Sequence, residues 1–429
     1  MKRRAVFFCA IACLFVFAGC DDDPGACEQD SDCFGGEVCY QQRCTPHSDE
    51  GDSGSEPDAT DDAGGAQDGA GPADSGDAAG PGDSGGEEDG GGADDTGGEE
   101  DSGPAGPKVE QVAVGGLHTC ALLDDGTVRC WGRCSEGQCG TGDDRSPYPT
   151  PTEVTGLSDV RAIAAGHLYT CAIKNDARLW CWGSNTSEQI VPGEDDYKFE
   201  PTDTGLANVQ EIGLGYDYIC AGASGELSCW GDYGGGASNP PEGINGVSSV
   251  SAGFEHSCAV VAGEVQCWGS STDDKLGEGN PWVIGISDAT VVEAGRYHTC
   301  VLLGNGTVRC WGDDEHNQLG DAGGGQTATP VSAENLDDVV ELSVGYNLSC
   351  ARTGAGGVKC WGSNDDGYGS ETPNTVFGLT SGVVDVDVGA SHACAVKESG
   401  EVVCWGNNQS YKLGDGTEDS RDRPVEVQF

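Results

Sequence analysis

Seven times between residues 109 and 429 a cysteine is followed nine or ten positions later by Cys-Trp-Gly, and no other feature constrains the fold as tightly. The pairs are Cys120–Cys130, Cys171–Cys181, Cys220–Cys229, Cys258–Cys267, Cys300–Cys310, Cys350–Cys360 and Cys394–Cys404. Each first cysteine lies five residues after a glycine, as in Gly115-Gly116-Leu117-His118-Thr119-Cys120. Successive first cysteines are 51, 49, 38, 42, 50 and 44 residues apart, a spacing near 46 that is the period of a propeller or a solenoid. Within each pair, turn residues such as Asp125-Gly126 or Ala262-Gly263 sit midway between two apolar runs, which predicts a β-hairpin. Such a hairpin sets its two cysteines opposite each other, with Cα atoms about 4.5 Å apart, within disulfide reach. One cross-strand disulfide per repeat is therefore expected, each contributing about 2–3 kcal/mol.

The repeat string is a Gly-x-x-His-[Ser/Thr] turn, a hairpin, Trp-Gly, and a loop ending in Gln-Leu-Gly. It resembles the RCC1 (regulator of chromosome condensation) repeat. That loop is intact in Gln318-Leu319-Gly320 and nearly so in Gln138-Cys139-Gly140, Lys275-Leu276-Gly277 and Lys412-Leu413-Gly414. It is missing from the second, third and sixth repeats as read from the sequence. Cys134 and Cys139 add an eighth pair within the first such loop. The resemblance implies an all-β fold over residues 109–429, a seven-bladed RCC1-like propeller with one hairpin disulfide per blade. Most repeats open with a proline-containing strand, as in Pro151 and Pro330, which the first lacks, while the chain ends Pro424-Val-Glu-Val-Gln-Phe429. The terminal strand is thus expected to complete the blade begun at Val109 and remove its free edge.

Twenty-three cysteines place the chain in an oxidising compartment. Lys2, Arg3 and Arg4 precede an apolar run over residues 5–18, too short to span a bilayer, which ends in Phe17-Ala18-Gly19-Cys20. Small residues directly before a cysteine resemble the lipobox of bacterial lipoproteins, although Phe17 stands where leucine is usual. The resemblance implies a signal peptide over 1–19, lipidation at Cys20, and a lipid-anchored start over 20–26. The envelope location it implies is an outer membrane or cell surface. Cys27, Cys33, Cys39 and Cys44 fall in a segment (27–44) too short for an apolar core, so two disulfides are expected to organise it. Their connectivity stays open, and the spacings lack the CxxC knuckle of a zinc site. Residues 45–108 hold no Val, Ile, Leu, Met, Phe, Trp, Tyr or Cys and nineteen acids against one lysine. Nothing there offsets chain entropy by burial, so a disordered spacer reaching about 40–50 Å is expected.

The variable positions lie between each fixed glycine and fixed cysteine. They are Gly116-Leu117, His167-Leu168, Tyr216-Asp217, Phe254-Glu255, Arg296-Tyr297, Tyr346-Asn347 and Ala390-Ser391, followed by a third position held by His118, His256, His298 or His392 in four repeats. Tyr169, Tyr218 and Leu348 hold the third position elsewhere. These 21 sites contain six of the 14 Tyr and Phe found after residue 108, about tenfold more than the other 300 positions. A fixed scaffold carrying variable, tyrosine-rich loops is how a protein-binding surface is built. The candidate binding residues are His167, Tyr169, Tyr216, Tyr218, Phe254, Glu255, Arg296, Tyr297 and Tyr346. The four repeat-locked histidines are read as framework residues satisfying their own turns, rather than as metal ligands.

Charge narrows the function classes. The chain carries a formal net charge of −52, with 47 acids against 16 bases over residues 109–429, which repels nucleic acid. An extracytoplasmic acidic propeller also argues against the guanine-nucleotide exchange of the eukaryotic family namesake. No HExxH, phosphate loop or nucleophile motif lies in the repeat region. The GDSGG run at Gly82 resembles a serine-protease segment but sits in the acidic tract, without a partnered His and Asp. The expected role is a tethered protein- or peptide-binding module, a monomer needing no cofactor or metal; bacterial RCC1-like propellers include β-lactamase inhibitors. An envelope hydrolase of glycans or peptides, or a purely structural surface protein, are the alternatives.

Overall fold

The computed structural model describes residues 37–40, 43–46 and 106–429, apart from 143–144, 195–196, 232–235, 280–281 and 364–368. The expectations for the signal peptide, for Cys20, for the four-cysteine pairing and for the spacer lie outside the described residues. A short antiparallel ladder, Glu37–Tyr40 with Arg43–Pro46, sets Cys39 opposite Cys44 in register.

From Val109 onward the chain forms seven antiparallel sheets, the blades, each built from consecutive strands. Blade 1 spans 109–153, blade 2 160–203, blade 3 209–231, blade 4 247–269, blade 5 289–332, blade 6 339–375 and blade 7 383–426. The seven inner strands, from Val109–Val114 in blade 1 to Val383–Val388 in blade 7, surround a central channel. The second and third strands of every blade are the cysteine hairpin, and the register pairs Cys120 with Cys130, Cys220 with Cys229 and Cys394 with Cys404. All seven blade disulfides are present with Cα atoms 4.1 Å apart. Cys134–Cys139 is bonded as well.

Local chemistry explains why the repeat keeps its fixed letters. The glycine of Cys-Trp-Gly adopts positive φ, +100° at Gly132, where a Cβ would lie 2.9 Å from the His118 Cα. The glycine before each variable turn is crowded from the next blade. A Cβ on Gly115 would come within 2.7 Å of the Gly166 carbonyl oxygen, and one on Gly389 within 2.2 Å of that of Gly115. The tryptophan ring is buried between blades except at Trp230, which is half-buried, and in six of the blades its Nε1–H donates to a carbonyl in the loop of the preceding blade. Trp182 donates to Gln138, Trp230 to Gln189, Trp268 to Ala237, Trp311 to Lys275, Trp361 to Gln318 and Trp131 to Lys412. The apolar cores therefore lie between neighbouring blades. Trp182 of blade 2, for example, packs with Leu122, Val128 and Cys130 of blade 1.

Two expectations are corrected here. The second repeat does keep its loop: the Gln189 side chain accepts from the N–H two residues earlier, as Gln138 and Gln318 do, so Gln189-Ile190-Val191 fills the Gln-Leu-Gly place. Ring closure also works differently. The terminal strand Arg421–Glu426 is the outer strand of blade 7, while blade 1 takes its own outer strand from Tyr148–Glu153. The proline-containing strands thus end blades rather than open them. The seam closes through side chains: Asp385 accepts from Val112 N–H and Asp387 from Val114 N–H, each at 2.7 Å. Leu413 and Val427 pack on Trp131, with Phe429 edge-on to its ring at 6.0 Å.

Candidate functional site

The channel and its mouth are made by alternate residues of the same inner strands and the turns that follow them. The inner strands lend side chains to the channel, for example Gln111 in blade 1 and Asp385 and Asp387 in blade 7. The inner strand is an edge, so its N–H groups need acceptors. For the inner strands of blades 2, 5, 7 and 1 the preceding blade supplies them: Gln111 to Ile163, Ser249 to Val292, Ser251 to Ala294, Glu341 to Val386, Ser343 to Val388, and the two aspartates to blade 1. This arrangement lines a cavity of about 460 Å³ with Glu211, Glu293, Glu341, Asp385 and Asp387. Burial and neighbouring carboxylates push Glu293 up to about 8, and burial pushes Asp387 up to about 6. Asp385 is raised by burial and by Glu341.

At one end of the channel Val114, Ala165, Leu214, Ala252, Ala294, Val344 and Val388 form a ring of seven apolar side chains, and beyond it the variable turns converge. The first residue of each turn faces the axis. His167 stacks on Tyr216 at 4.2 Å between ring centres, and Tyr346 Oη lies 2.9 Å from His167 Nδ1. Phe254 meets Tyr216 edge-on at 4.7 Å and Tyr346 at 6.0 Å. The Arg296 guanidinium sits over Phe254, Tyr297 and Tyr346, 4.8 to 5.4 Å from their ring centres. Blades 7 and 1 contribute only Ala390 and Gly116, so the aromatic cluster is one-sided and leaves a notch over that seam. All six clustered side chains are half-buried, with an outward face in solvent. Burial holds the His167 imidazole near 4, so it is neutral at pH 7, and Arg133 and Arg296 add to that shift. Burial and Asp217 push the Tyr216 phenol up to about 12.

The nine sequence candidates separate into two groups. His167, Tyr216, Phe254, Arg296, Tyr297 and Tyr346 come together at the mouth, and Glu255 stands beside them, accepting from Lys275 Nζ at 3.2 Å. Tyr169 and Tyr218 do not join them. Both are fully buried, so they are withdrawn as binding residues. Tyr169 Oη donates to the Gly215 and Tyr218 carbonyls, and Tyr218 Oη to that of His256, each in the next blade. They share a position with the four histidines, whose rings are also fully buried. The histidines bridge blades rather than satisfying their own turns: His118 Nε2 meets Thr170, His256 meets Thr299, His298 meets Ser349 and His392 meets Thr119. The sequence reading missed Lys275 and Lys412, whose ammonium groups are buried and reach the turns at Glu255 and Ser391. Their place at the Gln of Gln-Leu-Gly was the available signal, since Gln189 points the same way to Asp217 at 3.4 Å.

Fold and site together define a closed-ring repeat propeller whose variable residues gather at one axial mouth. Parts of the chain match a known repeat family. A model of the regulator of chromosome condensation (RCC1) repeat matches residues 109–138, 160–189, 290–318 and 383–411, and a second model of that repeat matches 125–173. The mitochondrial RCC1 domain-containing protein RUG3 of Arabidopsis thaliana is 32% identical over 109 residues, which is 25% of this chain and 24% of that protein. The protein pim1 of Schizosaccharomyces pombe is 29% identical over 137 residues, 29% of this chain and 25% of the relative. The chain therefore spans about a quarter of the length of these curated relatives. The crystal structure of human WBSCR16 aligns with a TM-score of 0.45 at 19% identity, covering 76% of this chain and 83% of that one.

Proposed function

We propose that this protein is an extracytoplasmic binding module that grips a protein or peptide with the axial aromatic mouth of its propeller. The observation that carries the reading is the cluster of His167, Tyr216, Phe254, Arg296, Tyr297 and Tyr346. Five separate blades bring these side chains together, and they keep an outward face instead of burying it. Aromatic rings with an arginine in their midst are the side chains that dominate protein recognition, because they offer large rigid contact area at small entropic cost. The Arg296 charge in a strongly acidic propeller favours a carboxylate or a carbonyl-rich loop on the partner. The sequence of residues 1–108 supports presentation of this domain on a spacer from a lipid anchor at Cys20, in the cell envelope, as a monomer.

The test is affinity capture from envelope and medium proteins of the source organism and its neighbours. Wild type is compared with a Tyr216→Ala/Phe254→Ala/Tyr297→Ala variant whose fold is checked by circular dichroism. A partner retained by wild type and lost by the variant supports the reading. A partner retained equally by both moves the site off the mouth and sinks it.

A further inference from the structure

Among the described residues blades 3 and 4 each show three strands and the other five four. The difference is written in the chain: the two shortest steps between first cysteines, 38 and 42 residues, follow Cys220 and Cys258, where no outer strand is found among the described residues. In blade 4 the gap is partly filled, because Trp282 bridges to Gln266 and Val283 N–H donates to the Val265 carbonyl, leaving Val265, Cys267 and Trp268 buried. Blade 3 has less cover. Asn245 bridges to Glu226 at the start of the third strand, Glu226–Gly231, and among the described residues no strand pairs with the rest of that edge. Glu226 and Ser228 are exposed there, and Leu227, Cys229, Trp230 and Gly231 half-buried. In blade 1 the equivalent Val128, Cys130, Trp131 and Gly132 are buried.

The register says which backbone groups this leaves open. Paired cysteines 4.1 Å apart are a non-hydrogen-bonded pair, so the N–H and C=O of Cys229 turn away from the second strand toward the rim. In blades 5 and 7 the same groups face Val331 and Val425 of the outer strand. Beside the open edge of blade 3 runs a groove floored by Trp230 and walled by Ser187, Glu188, Pro192, Ser238 and Asn239.

We propose that this rim slot is a second binding site, separate from the mouth, in which an extended segment of a partner protein adds as the missing fourth strand of blade 3. Backbone pairing supplies the affinity, and Trp230 and Pro192 offer an apolar seat for alternate side chains. Charge selects the occupant. Glu188 and Glu226 flank the slot and no lysine or arginine is among its described lining residues, so the segment is neutral along its length with basic ends. A second copy of this chain is disfavoured by the 47 acids against 16 bases on each propeller.

The probe is the peptide Lys-Thr-Ala-Thr-Pro-Val-Ser-Lys, whose middle copies the outer strand Thr327–Ser332 of blade 5. It is added to the full chain while amide exchange is followed by NMR. The expected result is slowing of the Cys229 and Gly231 amides by about tenfold or more, with blade 4 amides unchanged. N-methylation at the peptide valine, whose counterpart Val331 faces Cys310, abolishes the effect, and glutamates in place of the end lysines weaken it by about fivefold. Unaltered Cys229 exchange at saturating peptide overturns the proposal. So does equal protection by the N-methyl peptide, or protection that grows with protein concentration alone, which would assign the edge to a second copy. The Tyr216→Ala/Phe254→Ala/Tyr297→Ala variant binds this peptide normally, so failure here and failure of the axial reading are told apart.

Discussion

The wall of the central channel and the aromatic mouth above it are a few residues apart in every blade, yet they spend their side chains differently. Wall residues such as Gln111, Ser251, Glu341, Asp385 and Asp387 bond to the backbone of a neighbouring blade or to a side chain that does. Mouth residues such as His167, Tyr216 and Phe254 pack on one another. In blades 1, 2, 5 and 7 the wall bonds the unpaired edge that the inner strand presents, so its chemistry there is set by folding. At the mouth the turns carry their own backbone hydrogen bonds, so the side chains are not needed as acceptors for an inner strand. A cluster of acids in a propeller channel thus has a structural explanation that a cluster of aromatics at its rim does not share.

Four measurements would break or sharpen that contrast. The largest effect is expected at the wall: Asp385→Ala with Asp387→Ala strips the acceptors from Val112 and Val114 N–H at the seam. Two orphaned donors predict a loss of about 2–5 kcal/mol in denaturant unfolding, with partner affinity of the folded fraction unchanged. Phe254→Ala at the mouth should do the reverse, costing about 1 kcal/mol of stability and about tenfold or more in affinity for a captured partner by calorimetry. If the aspartate pair proves silent and Phe254→Ala unfolds the protein, the division of labour is wrong.

The third measurement is pH dependence, in which the buried carboxylates and the buried histidines pull in opposite directions. Glu293 at about 8 and Asp387 at about 6 hold protons in the folded state that the unfolded chain releases near its ordinary carboxylate range. Their contribution is full below that range and is lost as pH rises through 6 to 8. The histidines work the other way. With His167 near 4 and His118 and His298 near 3, all through burial, the folded state disfavours the charged ring, and stability is lost as pH falls below 6.5. Thermal melts should therefore show Tm falling between pH 6.5 and 8.5, where only the wall titrates, and Glu293→Gln should flatten that limb. The smallest effect is expected for Tyr346→Phe, which removes the hydroxyl beside His167 Nδ1 and should cost about 0.5–1.5 kcal/mol by the same melts.

Much of the fold was legible before any coordinates because its constraints are local. The Cys120–Cys130 hairpin closes within eleven residues, and its turn, its disulfide and the positive φ of Gly132 depend on neighbours in sequence. The candidate site was legible in part for the same reason. The turns are locked to the repeat, so a ring of equivalent positions follows from the count of seven, and the Tyr and Phe enrichment marked four of the residues that do converge, Tyr216, Phe254, Tyr297 and Tyr346. Tyr169 and Tyr218 carried the same signal and are framework, since the third turn position points between blades and only packing reveals that direction.

By itself, then, the sequence determined the number of blades, their disulfides and the set of variable turns, all of which are periodic or short-range properties. The tertiary structure decided how the ring closes, because that pairs Asp387 with Val114 across 273 positions that no local pattern connects. It decided that the channel acids Glu341, Asp385 and Asp387 are backbone acceptors and that Lys275 and Lys412 lie buried beneath the turns, because both follow from what the neighbouring blade leaves unsatisfied. It also turned two short repeat steps, visible but mute in the sequence, into one sheet edge mended by Trp282 and one at Cys229 with no partner strand among the described residues. Whether a missing strand is replaced depends on where a distant loop comes to rest.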